Sequence, residues 1–169
     1  TISSLSAGSS YNIKLQTKVI KNNQTYTQDV SLNQYTRPNA VTNIKVERNS
    51  TYPNSQLDIS WTKPSEASGV CIFYSTGTDL SQANYEDFVT NKTSFTIKYL
   101  TPGTKYNFWV VSYAGDAPNY SDIQKGTSLN TTTPATYASC YTKPKEITNP
   151  AVTATTTTSA TLSWKKASE

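Results

Sequence analysis

The side chains able to do chemistry are few. There is no histidine, which removes the commonest general base and the commonest metal ligand. Two cysteines, Cys71 and Cys140, cannot build a four-ligand zinc site by themselves. The six glycines stand singly at turn positions, and no phosphate-cradling loop is formed from them. Glu86 and Asp87 are adjacent on an expected extended segment. Alternation there sends neighbouring side chains to opposite faces and keeps the two carboxylates from converging as an acid and base. Catalytic, metal-binding and cofactor-binding residues are accordingly set at none, and the chain is read as non-enzymatic. Sites for covalent modification are better represented. Five Asn-x-Ser/Thr sequons occur, at Asn23, Asn49, Asn91, Asn119 and Asn130, all in expected loops or strand edges where N-linked glycans can be carried. The even cysteine count makes Cys71 and Cys140 a candidate disulfide in an oxidising compartment, with free or interchain thiols as the alternatives.

The elements that must position these residues are strands. Hydrophobic residues make up 35% of the 169 residues and charged residues 15%, with Thr, Ser, Asn and Tyr filling much of the rest, the composition of half-buried strands joined by polar turns. In 55–61 (SQLDISW) Leu57, Ile59 and Trp61 alternate with Asp58 and Ser60, and 159–164 (SATLSW) repeats the pattern with Ala160, Leu162 and Trp164. Further strands are expected at 42–47, 69–75, 94–100, 106–113 and 135–142. Fifteen Lys and Arg against eleven Asp and Glu give a formal charge of +4. The basic residues are scattered, with no run longer than Lys165-Lys166, so no surface tracks a nucleic acid. No apolar run is long enough to insert into a membrane, and no signal peptide is visible.

The chain also repeats itself. Leu5, Gly8, Tyr11 and Asn12 return as Leu100, Gly103, Tyr106 and Asn107, displaced by 95. Residues 35–38 (YTRP) return as 141–144 (YTKP), displaced by 106, and Trp61 returns as Trp164, displaced by 103. The unequal offsets place 11 extra residues after the second tyrosine strand, an insertion of the kind loops accept. A tryptophan closing the second strand, Leu-x-x-Gly-x-x-Tyr at a strand-to-strand corner, and a Thr-x-Pro exit together resemble the fibronectin type III domain. The resemblance covers essentially the whole chain.

That resemblance implies an all-β, immunoglobulin-like sandwich of seven strands in tandem. Residues 1–38 would be the closing strands (E, F, G) of one domain, 39–144 a complete domain, and 145–169 the opening strands (A, B) of a third, the whole belonging to a longer array. Tyr11 and Tyr106 become structural corner tyrosines, with the hydroxyl bonded to backbone a few residues upstream. Strands C and G flank F, which puts Cys71 and Cys140 about 9–10 Å apart, beyond the roughly 7 Å that a disulfide spans. On the outer face of the first unit Asn12, Lys14, Gln16 and Lys18 form an ordinary wet surface. In the complete domain Phe73, Trp109, Val111 and Tyr113, with Cys71, form an aromatic patch instead. It is a candidate partner contact, unless the insertion at 113–134 or a neighbouring domain folds over it. That insertion carries Ala114-Gly115-Asp116 and not the Arg-Gly-Asp of integrin-binding members. The expected role is an extracellular structural, adhesion or assembly module whose partners are proteins or neighbouring copies. The alternatives are a receptor ectodomain segment and an accessory module of an extracellular enzyme.

Overall fold

Alternating apolar residues can be buried only if two sheets face one another, and the chain builds such a pair. The computed structural model describes residues 1–132 and 137–167. Strands β3 (Thr42–Arg48), β4 (Leu57–Thr62) and β7 (Ser94–Ile97) form one sheet in the order β3-β4-β7. The other has the order β6-β5-β8-β9, from β5 (Gly69–Ser75), β6 (Asn84–Val89), β8 (Lys105–Tyr113) and β9 (Ala138–Tyr141). All pairings are antiparallel. The strand expected at 135–142 is seen from Ala138 onward, its first residues lying outside the described ones.

Between the sheets lies a core of Leu57, Ile59, Trp61, Val70, Ile72, Ile97, Tyr106, Phe108 and Val110. Each strand contributes every second residue, as the pleat requires. Leu57, Ile59 and Phe108 are fully buried, worth about 1.5–3 kcal/mol apiece relative to exposure.

Two further hairpins extend from this sandwich. Strands β1 (Ser10–Lys21) and β2 (Gln24–Tyr35) pair throughout, with Lys21 opposite Gln24. Asn22 and Asn23 between them have φ of 50° and 57°, the two left-handed residues that a tight hairpin turn needs and that asparagine tolerates. One face stacks Ile13 on Leu32, Leu15 on Val30 and Val19 on Tyr26; Lys14, Gln16 and Asp29 are linked on the other. Strands β10 (Thr148–Thr155) and β11 (Ala160–Lys165) form the second hairpin, where Leu162 and Trp164 remain about 60% exposed (62% and 58%). No strand forms in residues 1–9; the leucine-to-glycine stretch there is turn.

The same backbone irregularity marks β3 and β10. Asn43 and Asn149 both have φ 53°, and each lies at a register shift against the following strand. Both follow a β-branched residue and a threonine (Val41-Thr42, Ile147-Thr148) at the 106-residue offset of the Thr-x-Pro exits. Bulges of this sort bend a strand, here close to its start.

Candidate interaction surfaces

The two tyrosine corners are built alike, bond for bond. The Ser6 N–H donates to the Tyr11 hydroxyl at 2.9 Å and the Thr101 N–H to the Tyr106 hydroxyl at 3.0 Å. Each corner is then locked by the threonine of the exit motif. Thr36 Oγ1 donates to the Ser6 carbonyl at 2.6 Å and accepts from Ser9 N–H at 3.0 Å. Thr142 Oγ1 donates to the Thr101 carbonyl at 2.7 Å and accepts from Thr104 N–H at 3.0 Å. Finally the turn glycine reaches the linker: Gly8 N–H donates to Arg37 O at 3.1 Å, and Gly103 N–H to Lys143 O at 3.3 Å. The locking role of Thr36 and Thr142 is additional to what the motif spelling conveys. A hydroxyl that donates and accepts at once is what holds the chain's exit against the corner.

Beyond the first corner the chain enters the sandwich through a defined set of contacts. A Cβ at Gly8 would stand 2.6 Å from the carbonyl oxygen of Glu66, so the turn lies directly on the loop after β4. Glu66 Oε1 accepts from Asn39 N–H at 3.0 Å and also from the Asn39 side-chain amide. Its own backbone N–H first, and then these bonds from Asn39, hold the Glu66 carboxyl below its ordinary range. Ser112 Oγ donates to Asn39 O at 2.6 Å and Arg37 donates to Ser128 O at 3.3 Å. The Tyr35 ring packs on Gly115, where a Cβ would come within 2.5 Å; only a glycine admits that ring, and its φ of +76° suits no other residue well. Neither Asn39 nor Glu66 carries a signature in the sequence, because each acts only through a distant neighbour; Tyr35 opens the repeated 35–38 stretch, but its contact with Gly115 is not legible there.

The aromatic patch on the second sheet is covered by the chain itself, which corrects its reading as a partner contact. Phe73 and Val111 are fully buried and Trp109 and Tyr113 are 3% exposed. A second core joins them to Cys71, Ala83 and Ile123, flanked by Leu80, Tyr85 and Phe88. The cover comes from a short 3-10 turn, Leu80–Gln82, and from helix α1 (Tyr120–Gln124) in the insertion. Asn119 caps α1 by accepting from Ser121 N–H, and Gln124 Nε2 donates to Ala83 O at 2.7 Å and Leu80 O at 3.3 Å, pinning helix to turn. Tyr120 stacks on Tyr85 with ring centres 5.2 Å apart. Cover on both faces explains why β8 reads as a continuous apolar run and does not alternate.

The sequence profile of the fibronectin type III domain matches residues 39–123, half the chain. The chain belongs to the fibronectin type III family. Among solved structures it is similar to the fn3 domain of human contactin 1, at 22% identity over 67% of this chain and 84% of that one, TM-score 0.47. It is also similar to an Fn3-like protein from Clostridium thermocellum, at 16% identity over 66% and 100%, TM-score 0.47. The fn3 domain of the human collagen alpha-1(XX) chain matches at 16% identity over 67% and 91%, TM-score 0.48. No curated protein matches the chain.

Within this fibronectin type III sandwich the candidate disulfide is not formed. Both cysteines are free, Cys71 buried and Cys140 half-buried. Besides being two strands apart, they lie in different layers: Cys71 pairs with Val111 in the second core, whereas Cys140 pairs with Tyr106 and packs on the first. Burial pushes the Cys71 thiol far above its ordinary range. The sequons divide in a similar way. Asn23 and Asn91 are exposed in turns and Asn119 is exposed at its cap. The Asn49 amide donates to both oxygens of Asp58, at 3.2 and 3.1 Å. The Asn130 amide donates to Ala114 O and Asp116 O, at 2.7 and 3.1 Å. A glycan on either would displace a bond that holds a loop.

Glu86 and Asp87 depart from the expected alternation. A bulge opposite Ile72 and Phe73 breaks the register between them, and the Glu86 carboxyl is raised first by burial and then by the Asp87 charge. Asp87 Oδ1 is occupied with Phe88 N–H at 2.7 Å, which gives it a local structural role.

Proposed function

We propose that the chain is a spacer and assembly segment of a longer extracellular multi-domain protein. In this reading residues 1–38 are the closing part of one fibronectin type III domain, 39–144 a complete one and 145–169 the opening part of a third. Domains of this family are typically non-catalytic modules of multi-domain proteins, common outside the cell and at its surface, where they mediate protein interactions. The observation that carries the reading is the repeated corner. The same hydrogen bonds recur at Tyr11 and Tyr106, each ending on the residue before a linker proline, and the bulges at Asn43 and Asn149 recur just beyond. A chain that fixes its exit and then its entry in the same way each time sets a fixed angle between units, which is what a spacer requires. Proline in both links fixes φ and stiffens them further. N-linked glycans are assigned to Asn23, Asn91 and Asn119, where the side chains are exposed.

The test is a distance distribution. Spin labels at Lys18 in β1 and Lys92 in the β6–β7 turn should give one narrow population, and replacing Glu66 and Tyr35 together by alanine should broaden it. A broad distribution in the unmodified chain would sink the spacer reading.

A further inference from the structure

The insertion that covers the second core is also the part of the sandwich that receives the first linker. Near its start the Tyr35 ring lies on Gly115, whose N–H donates to Ser68 Oγ at 2.8 Å. Further along, Arg37 Nη2 donates to Ser128 O at 3.3 Å. Ser112, in the strand from which the insertion springs, donates to Asn39 O at 2.6 Å and stands 3.3 Å from Thr132 Oγ1 at the insertion's other end. Every second residue from Tyr35 to Asn39 therefore meets the insertion or its root.

From Ser128 the bonds run inward to the cover. The Thr127 and Ser128 N–H groups both donate to Asp122 O within α1, at 2.9 and 3.2 Å. Ser128 Oγ donates to Asn130 Oδ1 at 3.0 Å, and the Asn130 amide closes the insertion's stem on Ala114 O and Asp116 O. At its other end α1 is tied to the Leu80–Gln82 turn by Gln124, with Ile123 in the second core. Five residues are too few to hold a helix by themselves, so α1 owes its order to these two attachments. Packing adds little on the linker side. A cavity of about 210 Å³ separates Arg37 from Leu80, Ile123 and Gln124, and atoms that line a void lack partners there. The polar ties hold the linker and the helix together.

We infer that the linker and the insertion form one two-state clamp, in which docking of the first hairpin holds α1 over the aromatic face and release of the linker uncovers it. In the closed state Tyr35 and Arg37 are seated and Phe73, Trp109 and Tyr113 are buried. In the open state the linker has left the insertion and α1 has lost one of its two attachments. A change of angle at the junction is thereby passed to a face on the second sheet. The inference rests on the reading of this linker as a fixed junction. Coupling between two such events is reciprocal: whatever release of the linker does to the cover, loosening the cover does to the linker. Two independent elements would show no effect in either direction.

Native-state hydrogen exchange of the 169-residue chain tests the clamp, read at the Thr127 and Ser128 amides and at Ile59 in β4, together with Lys18–Lys92 label distances. Releasing the junction by Glu66→Ala with Tyr35→Ala should speed exchange at Thr127 and Ser128 about tenfold and at Ile59 less than about twofold. Arg37→Met removes the tie to Ser128 alone and should give about threefold, the share of one hydrogen bond; it decides the matter if the double change leaves the hairpin docked. In the other direction Gln124→Leu, which unpins α1 without touching the linker, should add a second, broader component to the distances. Ile123→Ala should do the same if Gln124→Leu does not fold. Thr142→Val, at the other corner, should speed Ile59 and leave Thr127, Ser128 and the distances unchanged. Exchange at Ser128 unmoved by both linker variants, acceleration matched at Ile59, or distances that stay narrow while the cover loosens would each overturn the clamp. A broad distribution in the unmodified chain sinks the spacer reading, whereas a narrow one with no cross effect sinks only the clamp.

Discussion

At the level of single residues, a hydroxyl is worth what its surroundings make it worth. The Tyr106 hydroxyl accepts from a partly buried backbone N–H, whereas the equivalent bond at Tyr11 is exposed. Tyr106→Phe should therefore cost about 1–3 kcal/mol in denaturant unfolding, the penalty for a buried donor left without its acceptor. Tyr11→Phe should fall within about 0.5 kcal/mol, because water replaces the lost acceptor. Equal losses at the two sites would show that burial does not set the difference. Thr142, 1% exposed, joins three backbone groups of one corner, so Thr142→Val should match or exceed the Tyr106→Phe loss. Cysteine accessibility follows the same logic. Native alkylation should label Cys140 and spare Cys71, with both labelled in urea and no disulfide detected by mass; a bonded pair or a native label on Cys71 would contradict the placement of the two thiols in separate layers.

At the level of elements, strand positions were legible and covers were not. Leu57, Ile59 and Trp61 announce their buried face by alternation, and the corner announces itself by spelling, because both depend on residues close in sequence. The cover on β8 depends on Ile123 and Leu80 meeting Trp109 across the fold. A five-residue helix in a polar insertion has too little periodicity to reveal that. What hinted at it was the unbroken apolar run from Phe108 to Val111, unusual for a strand with one wet face. The strand between the two cysteines was legible from the expected strand order, but that the thiols face opposite sides of the sheet depends on register, which residue types alone do not fix. The cover itself can be tested. Ile123→Ala should cost about 2–4 kcal/mol, the range for a large-to-small change in a packed cluster, and should increase binding of a hydrophobic dye as Phe73 and Trp109 are uncovered. A change below about 0.5 kcal/mol would mean that the insertion rests on the sheet without sealing it.

At the level of the whole molecule, the proposed spacer role turns on a fixed angle between the first hairpin and the sandwich, and one member of that junction is a carboxylate. Glu66 joins the loop after β4 to Asn39 in the linker while the Gly8 turn rests on its backbone. Its hydrogen bonds favour the charged form, so its folded pKa lies below the ordinary glutamate value. The sign follows directly: the contribution to junction order is fully present above the unperturbed pKa of about 4.3 and is lost as pH falls through the lowered folded value. Distances between Lys18 and Lys92 labels should hence keep one narrow distribution from neutral pH down to the ordinary glutamate value and broaden only below it. The sandwich itself should persist there, since its core holds no carboxylate. In Glu66→Gln the amide oxygen still accepts from Asn39, so order should be retained and its acid dependence removed. In Glu66→Ala the distribution should be broad at every pH. Acid broadening that survives in Glu66→Gln would assign the junction's pH response to another group and leave Glu66 as packing alone.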